Sequence, residues 1–369
     1  MVKVGINGFG RIGRLSFRTA LLKHPKEVEI VAINTSGSMN VDGWAYLAQY
    51  DTMYRKFDYK VTSEQVRQAK EATDKDPLIG YLQIKDKAMK IPVLAQRDPA
   101  KLPWNKYGAE IIIEATGAFT DEAGAKKHAV GGAKRVIMSA PSKGGNVGTY
   151  VIGVNRPKGD AAVISNASCT TNCVAPVAAV MHANFGIEKA MMTTIHGYTD
   201  DQNLQDNSHR KLRRSRAAAE NIIPTTTGAA IATTETIPEL EGLFDGRALR
   251  VPVATGSITD FTFVTKRKVT VDKINEAFTK ATKNMIYKGI LGTTKEPIVS
   301  SDIIGRSESA IVDLSLTQVV GDNLVKVFAW YDNEWGYANR LVEQVIRVGN
   351  TLHAKSAPSD PLTLSFSKN

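Results

Sequence analysis

The chain opens with a glycine pattern that admits few folds. An apolar run at residues 2–6 is followed at once by Asn7-Gly8-Phe9-Gly10-Arg11-Ile12-Gly13, and a helical pattern continues over residues 14–22. In a Gly-x-Gly-x-x-Gly turn the glycines permit a tight bend, the approach of backbone to a pyrophosphate, and close packing of helix on strand. A second apolar run at residues 28–34 completes a predicted βαβ unit, whose helix N-terminus faces the anion.

The end of this second run bears on the choice of cofactor. An Asp or Glu normally stands there and holds the adenosine ribose of NAD. Here Asn34 is followed by Thr35 and then by a Ser-Gly-Ser sequence. Because no carboxylate repels a 2′-phosphate, the pattern favours NADP or the use of both dinucleotides. The alternative is that Thr35 is only a loop residue and that the nearby Asp42 holds the ribose.

Strand and helix patterns alternate to about residue 165, which is typical of a parallel sheet. Predicted strands lie at residues 91–94, 110–115, 135–138 and 162–164. Ligands of such sheets bind at the carboxyl ends of the strands, so Thr116, Gly117 and Ser139 are candidate cofactor contacts.

The remaining segments differ in character. Residues 63–86 are rich in charge and are predicted to form a surface excursion with a helical piece at 64–72. From residue 193 β-branched runs dominate, with a predicted strand at 256–270 and a helix at 271–285.

These patterns predict an α/β chain with a Rossmann-type doubly wound parallel sheet domain and a mixed-sheet α+β catalytic domain. The dinucleotide-binding domain is predicted to cover residues 1–167, with a C-terminal helix at about 333–350 packing back on it. Residues 168–332 form the predicted catalytic domain, and residues 351–369 a loosely structured tail.

Cys169 is the strongest candidate for a nucleophile. Small and hydroxyl-bearing residues surround it in the segment 165–173, and an apolar helical run follows at 174–181. A thiol at a helix N-terminus or beside an imidazolium has a lowered pKa, and His196 is a candidate partner. The alternative is that Cys169 is a small buried hydrophobic residue. Cys173 is expected to serve in packing.

Charge and composition exclude several classes of protein. The net charge of +10 is compatible with nucleic acid as well as with phosphorylated small molecules. The densest basic run, residues 209–216, lacks aromatic residues for base stacking, so nucleic acid is not expected as the main partner. Two cysteines and scattered histidines predict neither a disulfide framework nor a metal site. No apolar stretch reaches the length of roughly 20 residues that spans a membrane, and no secretory signal is evident, so a cytoplasmic protein is expected.

Several long motifs occur in one order along the chain. They lie at residues 6–14, 165–173, 193–196, 222–230 and 330–337. Through these motifs the chain closely resembles the phosphorylating glyceraldehyde-3-phosphate dehydrogenases, from residue 2 to about residue 350. The resemblance implies that Cys169 attacks the aldehyde of glyceraldehyde 3-phosphate. A thiohemiacetal then passes hydride to NAD or NADP and becomes a thioester, which inorganic phosphate cleaves to 1,3-bisphosphoglycerate, in glycolysis or gluconeogenesis.

The same resemblance implies the roles of individual residues. His196 is the base that ionises Cys169 and later assists hydride departure. The implied substrate-binding residues are Thr199 and Arg250 for the substrate phosphate, and Ser168, Thr170, Thr227 and Gly228 for the inorganic phosphate, with Arg214 or a neighbour adding charge. The implied cofactor-binding residues are Gly8, Gly10, Arg11, Ile12, Asn34, Thr35, Arg97, Thr116, Gly117, Ser139, Ser208, Asn333 and Tyr337. A homotetramer is also implied.

Departures from the family pattern qualify the cofactor prediction. Thr35 stands where NAD-specific members have Asp, and Ser208 stands where they have Pro, so NADP is expected to be accepted. Ile231 stands where Lys is usual, and no function is predicted from it.

Rival activities remain open on the residues alone. Erythrose-4-phosphate dehydrogenase shares the cysteine motif but usually changes the residues equivalent to Thr199 and Gly228. A non-phosphorylating aldehyde dehydrogenase would have no need of inorganic phosphate. A non-catalytic RNA-binding protein is the rival from another class.

Overall fold

The chain divides into two compact units. A computed structural model describes residues 1–157 and 160–354. Within those residues the first unit comprises 1–149, 157–166 and 338–354, and the second comprises 150–156 and 167–337. None of the helices in the described part of the chain is long and apolar enough to cross a membrane.

The first unit is built on one large sheet. Its elements are β1 Val2–Asn7, α1 Arg11–Lys23, β2 Val28–Thr35, α2 Val41–Gln49, β3 Tyr50–Asp51, β4 Arg55–Lys56, β5 Val61–Gln65, β6 Leu78–Ile84, β7 Met89–Ala95, β8 Ile111–Glu114, α3 Glu122–Lys126, β9 Arg135–Met138 and β10 Val163–Ser165. The strand order is β10-β9-β8-β1-β2-β7-β6-β5, and β3 pairs only with β4. From β10 to β7 all neighbours run parallel, whereas β6 and β5 continue the sheet antiparallel.

The antiparallel edge corrects the prediction for residues 63–86. No helix covers 64–72; a 3-10 turn occupies Ala69–Glu71 in the connection between β5, which ends at Gln65, and β6, which begins at Leu78. Alternation explains the error. Leu82 and Ile84 of β6 are fully buried, while charged side chains such as Glu64 stand on the exposed positions and pair with Lys90 of β7. Pairing with β7 therefore outweighs the charge-rich composition.

The last helix, α7, runs over Trp335–His353. The helix predicted at about 333–350 thus begins two residues later and ends three residues later. Its part from residue 338 onward belongs to the first unit. A Cβ at Gly349 would lie 2.2 Å from a methyl carbon of Val2, so this glycine permits the close approach of helix and β1. Of the predicted tail, residues 351–353 are helical and 355–369 lie outside the described residues.

The second unit carries a mixed sheet. Its elements are α4 Cys169–Phe185, β11 Ile187–Gly197, β12 Ile223–Thr225, α5 Ala229–Thr236, β13 Phe244–Val251, β14 Ser257–Thr265, α6 Val271–Lys283, β15 Leu291–Thr294, β16 Ala310–Asp313, β17 Gln318–Val320 and β18 Leu324–Tyr331. The strand order is β12-β13-β11-β14-β18-β16-β15, with β17 paired to β18. The β11–β13 and β15–β16 pairs are parallel and the others antiparallel. The predicted fold class is therefore confirmed.

Helix α4 forms the centre of the second core. Its residues 173–181 are all buried, and most are Val or Ala. A helix that is apolar on every side must be enclosed by other elements, and here its buried neighbours come from β11, β14, β16, β18, α5 and α6. This enclosure fixes the helix axis and, with it, the position of its first residue, Cys169.

Candidate active site

Cys169 occupies the first turn of α4, as the sequence predicts. Ser168 is the N-cap, and its Oγ accepts a hydrogen bond from the backbone N–H of Thr171 at 3.1 Å. Ala167, just before the cap, has a φ of +57°, which a residue with a side chain adopts at a cost. Because Cys169 is the first residue of α4, its thiol stands at the positive end of the helix dipole.

His196 faces the thiol from the end of β11. Its Nε2 lies 3.4 Å from Cys169 Sγ, and the residue is only 3% exposed. Its Nδ1 lies 2.6 Å from the carbonyl oxygen of Gly197. Nδ1 also lies 3.0 Å from Arg250 Nη1, which only donates, so its two neighbours call for opposite roles. The shorter contact is with the carbonyl, which only accepts, and we therefore assign the proton to Nδ1 and a lone pair facing the thiol to Nε2. This geometry is suited to a general base that acts on a neighbouring nucleophile.

Burial governs the charge of this pair. It raises the pKa of the Cys169 thiol, while the Arg250 guanidinium, the Thr170 hydroxyl and the backbone N–H groups of the helix oppose the rise. Burial and the repulsion of Arg250 lower the pKa of His196 to about 3. The lowered thiol pKa that the helix N-terminus and an imidazolium predicted for Cys169 is therefore not found. The neutral imidazole is free to take the thiol proton during attack.

Arg250 lies beside His196 because the two residues are register partners in β13 and β11. Its Nη1 donates to the Gly197 carbonyl at 3.0 Å and to Thr199 Oγ1 at 3.3 Å. Its Nε is buried and makes no hydrogen bond within the described residues. A partly unpaired guanidinium next to a hydroxyl is suited to bind a phosphate. The structure thus brings together the two residues expected to bind the substrate phosphate.

Arg214 is already engaged by protein groups. Its guanidinium forms an ion pair with Asp201 and donates to Thr225 Oγ1 at 3.0 Å. Ser208 is exposed in the same loop. The role expected for Arg214, in binding inorganic phosphate, requires it to share its donors with Asp201.

The other residues expected around inorganic phosphate have local hydrogen bonds. Thr227 Oγ1 accepts from the backbone N–H of Ala229 at 3.1 Å, and Gly228 is the exposed N-cap residue of α5. Thr170 is buried, and its hydroxyl lies 3.0 Å from the hydroxyl of Tyr331. Thr170 therefore supports the site from beneath in this structure, whereas Gly228 and Thr227 are accessible.

Tyr331 is a site residue that sequence reasoning missed. Its hydroxyl lies 2.7 Å from Thr194 Oγ1 as well as 3.0 Å from Thr170 Oγ1, and its ring meets that of His196 edge to face. It thereby joins α4 to β11 beneath the reactive pair. Only its place within the motif at 330–337 was a signal, and that motif was interpreted through Asn333 and Tyr337.

Asn333 has a fixed orientation. Its Oδ1 accepts from the backbone N–H of Gly256 at 3.0 Å and from Ser257 Oγ at 2.9 Å, and Ser257 Oγ in turn accepts from the Gly197 N–H at 3.2 Å. With the oxygen so occupied, the Nδ2 group is the donor left for a ligand. Tyr337 is buried and donates its hydroxyl to the carbonyl of Ala167 at 3.1 Å. It holds the turn before Cys169.

The glycine turn has the conformation that its motif predicts. Gly8 has a φ of +95°, and a Cβ on Gly13 would lie 2.0 Å from the Gly8 carbonyl oxygen. Gly10 is the N-cap of α1 and has open space where a side chain would stand. Arg11 and Ile12 follow in the first helical turn; the Arg11 side chain forms an ion pair with Asp51. Backbone N–H groups at this helix end therefore remain the groups suited to an anion.

The end of β2 differs from expectation at Thr35. The residue is 2% exposed, and its hydroxyl donates to the carbonyl of Leu94 at 3.0 Å. Asn34 is also buried, with its side chain bonded to Asn7 and Gln96. The exposed hydroxyls nearby belong to the Ser-Gly-Ser sequence, residues 36–38. Asp42 and Arg97 are exposed.

The contacts predicted after β8 and β9 lie at the carboxyl edge of the sheet. Thr116 and Gly117 are exposed, and Gly117 has a φ of +70°. The hydroxyl and the backbone N–H of Thr116 both donate to Glu114, a buried residue that the sequence analysis did not single out. Ser139 is partly exposed, and its N–H donates to the Glu114 carbonyl at 2.9 Å.

Comparisons with known proteins agree with the two units. The sequence model described as glyceraldehyde 3-phosphate dehydrogenase, NAD binding domain, matches residues 2–122, and the C-terminal domain model of the same family matches residues 168–333. Glyceraldehyde-3-phosphate dehydrogenase of Streptomyces coelicolor is 50% identical over 354 residues, which is 95% of this chain and 99% of that protein. Glyceraldehyde-3-phosphate dehydrogenase 1 of Bacillus subtilis is 48% identical over 345 residues, covering 93% and 96%. The Mycobacterium leprae enzyme is 46% identical over 357 residues, covering 95% and 99%.

Proposed function

This chain belongs to the glyceraldehyde-3-phosphate dehydrogenase family, and from that premise we propose that Cys169 and His196 carry out the oxidation of glyceraldehyde 3-phosphate to 1,3-bisphosphoglycerate. The protein is an oxidoreductase of glycolysis that uses a nicotinamide dinucleotide. One observation carries the assignment of the catalytic residues: the 3.4 Å approach of a lone-pair nitrogen to a thiol at the start of a buried helix.

In the first step Cys169 Sγ adds to the aldehyde carbon. The S–C bond forms, the carbonyl π bond opens, and the thiol proton passes to His196 Nε2, which then protonates the new oxygen. The product is a thiohemiacetal. Arg250 supports this step in two ways, because its charge stabilises the developing thiolate and its free donors hold the substrate phosphate.

In the second step the thiohemiacetal is oxidised. His196 Nε2 accepts the hydroxyl proton as hydride leaves the same carbon, and the C=O bond of a thioester forms. The bound nicotinamide dinucleotide supplies the hydride acceptor. Asn333 Nδ2 is the donor that we assign to the nicotinamide carboxamide, because its Oδ1 is held by Gly256 and Ser257.

In the third step inorganic phosphate attacks the thioester carbon, the S–C bond breaks, and the leaving Cys169 thiolate takes back the proton that His196 Nε2 accepted in the second step. We assign the attacking phosphate to Ser168, Thr227 and Gly228, with Thr170 beneath. Gly228 presents the exposed N-terminus of α5, and Ser168 caps α4, so both contribute donors near helix ends. Arg214 adds positive charge when it shares its donors with Asp201.

The first unit fits a dinucleotide. Gly10 leaves open space at the N-terminus of α1, and the first turn of that helix has no acidic residue. We assign the pyrophosphate to the backbone of Gly8, Gly10, Arg11 and Ile12. Thr116, Gly117, Ser139 and Arg97 are the further contacts that we propose in this unit, as partly or fully exposed residues of the first unit.

We propose that NADP is accepted as well as NAD. No carboxylate stands at the end of β2, and the exposed hydroxyls of Ser36 and Ser38 lie there. Thr35 is buried and its hydroxyl donates to the Leu94 carbonyl, so it contributes only by placing no negative charge near the 2′-phosphate. Ser36 and Ser38 are the residues that we expect to contact the 2′-phosphate. Ser208 of a neighbouring subunit is the second proposed contact.

The experiment is an initial-rate assay with glyceraldehyde 3-phosphate and inorganic phosphate that compares kcat/KM for NAD and NADP. The proposal expects turnover with both. Ser36→Asp is expected to raise the KM for NADP and leave that for NAD, since the new carboxylate is exposed; Thr62→Asp on β5 is the matched surface control. Turnover with NAD alone would refute the NADP proposal. No turnover with either, but turnover with erythrose 4-phosphate, would refute the substrate.

We further propose a cytoplasmic homotetramer. Large apolar side chains of the second unit are exposed in the single chain, including Met191, Leu204, Leu212, Ile222 and Ile231. Exposed apolar surface of this extent supports an assembly interface. Light scattering after size exclusion should give the mass of four chains; the mass of one chain would contradict the proposal.

A further inference from the structure

A row of polar side chains crosses the carboxyl edge of the sheet in the first unit. Asn7, Asn34 and Glu114 are the last or next-to-last residues of β1, β2 and β8, and they are register partners across the strands, Asn7 with Asn34 and Asn7 with Glu114. Each is no more than 3% exposed. Because these three polar side chains are buried side by side, their hydrogen-bond donors and acceptors must pair with one another or with other protein groups.

The hydrogen bonds of the row run without a gap from β7 to β8. Asn34 Nδ2 donates to the Gln96 carbonyl at 2.8 Å and to Asn7 Oδ1 at 2.7 Å, and its Oδ1 accepts from the Gln96 N–H at 3.0 Å. Asn7 Nδ2 then donates to Glu114 Oε2. These bonds fix both amide orientations, because every oxygen meets a donor.

His128 and Trp104 complete the row. The indole N–H of Trp104 donates to His128 Nδ1 at 2.9 Å, so the ring proton resides on Nε2, which donates to Glu114 Oε2 at 3.0 Å. His128 and Trp104 are both fully buried. Glu114 therefore receives four donors on two oxygens, from Asn7, His128 and both the N–H and the hydroxyl of Thr116. Only an ionised carboxylate accepts four such bonds.

The row bears directly on the glycine turn. A Cβ on Gly8 would lie 2.7 Å from the backbone nitrogen of Thr116, so the turn rests on the Thr116 peptide. That same N–H is the one that Glu114 holds at 2.8 Å. The Gly8 N–H donates to the Asn34 carbonyl at 3.0 Å. Glu114 and Asn34 thus determine the position of the turn from two sides.

We propose that Glu114 and His128 are positioning residues for the dinucleotide: through the hydrogen-bonded row they hold Thr116 and the Gly8 turn in the arrangement that binds the cofactor. The inference rests on the proposed binding of NAD at this turn. His128 orients Glu114, and Glu114 holds the Thr116 peptide on which Gly8 lies. Neither side chain needs to touch the ligand.

Replacing Glu114 distinguishes a positioning role from a purely electrostatic effect on the dinucleotide. A carboxylate under a pyrophosphate site repels the ligand, so removal of its charge alone would tighten binding. Loss of the hydrogen bonds through which Glu114 holds Thr116 would instead weaken dinucleotide binding. Glu114→Gln removes the charge but replaces an acceptor oxygen with an N–H₂ group that faces donors. The proposal expects the dissociation constant for NAD to rise about tenfold in Glu114→Gln.

The main test is a pair of His128 variants, with NAD binding measured by titration calorimetry. His128→Leu removes the donor to Glu114 and should raise the dissociation constant about tenfold, whereas His128→Gln places an N–H near the position of Nε2 and should restore it to within about threefold. At saturating NAD the kcat should remain within about twofold in both variants, because the reacting groups are intact.

Ile84→Ala is the control for lost stability. It removes buried methyl groups from the end of β6 that pairs with Met89, the first residue of β7, whereas the row meets β7 beyond its last residue. Ile84→Ala is expected to lower the melting temperature without changing the dissociation constant. If His128→Leu fails to fold, Trp104→Phe removes the indole donor to His128 together with part of a buried ring, and it should raise the dissociation constant about threefold while Ile84→Ala again serves as the control for lost packing.

Three results would overturn the inference. They are wild-type affinity in His128→Leu, tighter binding in Glu114→Gln, and an equal loss of affinity in Ile84→Ala. Failure of wild-type protein to bind NAD or NADP is a different outcome, since it would refute the proposed function itself.

Discussion

Replacement of His196 by Asn removes the acceptor that faces the thiol while it keeps the anchor of the side chain. The Nδ2 group of Asn stands near the place of imidazole Nδ1 and continues to donate to the Gly197 carbonyl, which is 2.6 Å from Nδ1 in the native site. Nothing replaces Nε2, 3.4 Å from Cys169 Sγ. The variant thus isolates the loss of the base.

The expected magnitude follows from the burial of the thiol. An ordinary thiol with a pKa of about 8.5 is only about 3% ionised at pH 7. Burial raises the pKa of Cys169, so without its base the thiolate fraction should be smaller still. Alkylation by iodoacetamide at pH 7 should be at least about tenfold slower than in the native protein and should rise about tenfold per pH unit through pH 8. The kcat should fall by about 10²–10⁴.

The assay is the second-order rate of alkylation from pH 5 to 9, with the modified residue located by mass spectrometry. Cys169→Ser is the control for labelling elsewhere, and Cys173 is fully buried. An alkylation rate and pH profile in His196→Asn that match those of the native protein would refute the assignment of His196 as the base.

Three further predictions concern charge and backbone. Arg250→Met should lower kcat/KM for glyceraldehyde 3-phosphate about 10–100-fold more than for glyceraldehyde, because only the former loses a charge-assisted bond; equal losses would contradict a phosphate contact. Gly13→Ala should destabilise the chain by about 1–3 kcal/mol in urea unfolding, since its Cβ would meet the Gly8 carbonyl oxygen at 2.0 Å, while Gly10→Ala should cost less. Acid should destabilise the native protein through His196, whose pKa is lowered to about 3 on folding. The unfolded chain then binds the extra proton between about pH 6.5 and 3, so stability falls with pH there, by about 2 kcal/mol from pH 7 to 5; His196→Asn should lack this loss.

The sequence predicts best where local chemistry decides the structure. The glycine turn and the capped helix start at Cys169 follow from residues adjacent in the chain, and both are found. The partnership of His196 with Arg250 depends instead on the register of β11 and β13. Family resemblance supplied only the separate roles of the two residues.

Features made by distant strands escaped prediction. Tyr331 reaches Thr170 and Thr194 only because β18 and β11 both flank β14, and no local pattern indicates this. Glu114 ends an apolar strand, and its role depends on its register with Asn7 of β1, which the sequence does not reveal. The pKa of Cys169 was misjudged for a related reason, since the depth of burial depends on the whole core around α4.

A single turnover without phosphate tests the central claim most directly. Protein mixed with glyceraldehyde 3-phosphate and NAD should release one NADH per active chain in a burst, and mass spectrometry should then find a 3-phosphoglyceroyl group on Cys169. Addition of inorganic phosphate should remove that group and start steady turnover. Three results would each contradict the account: no burst from the native protein, a burst from a Cys169→Ser variant, or an acyl group on another residue.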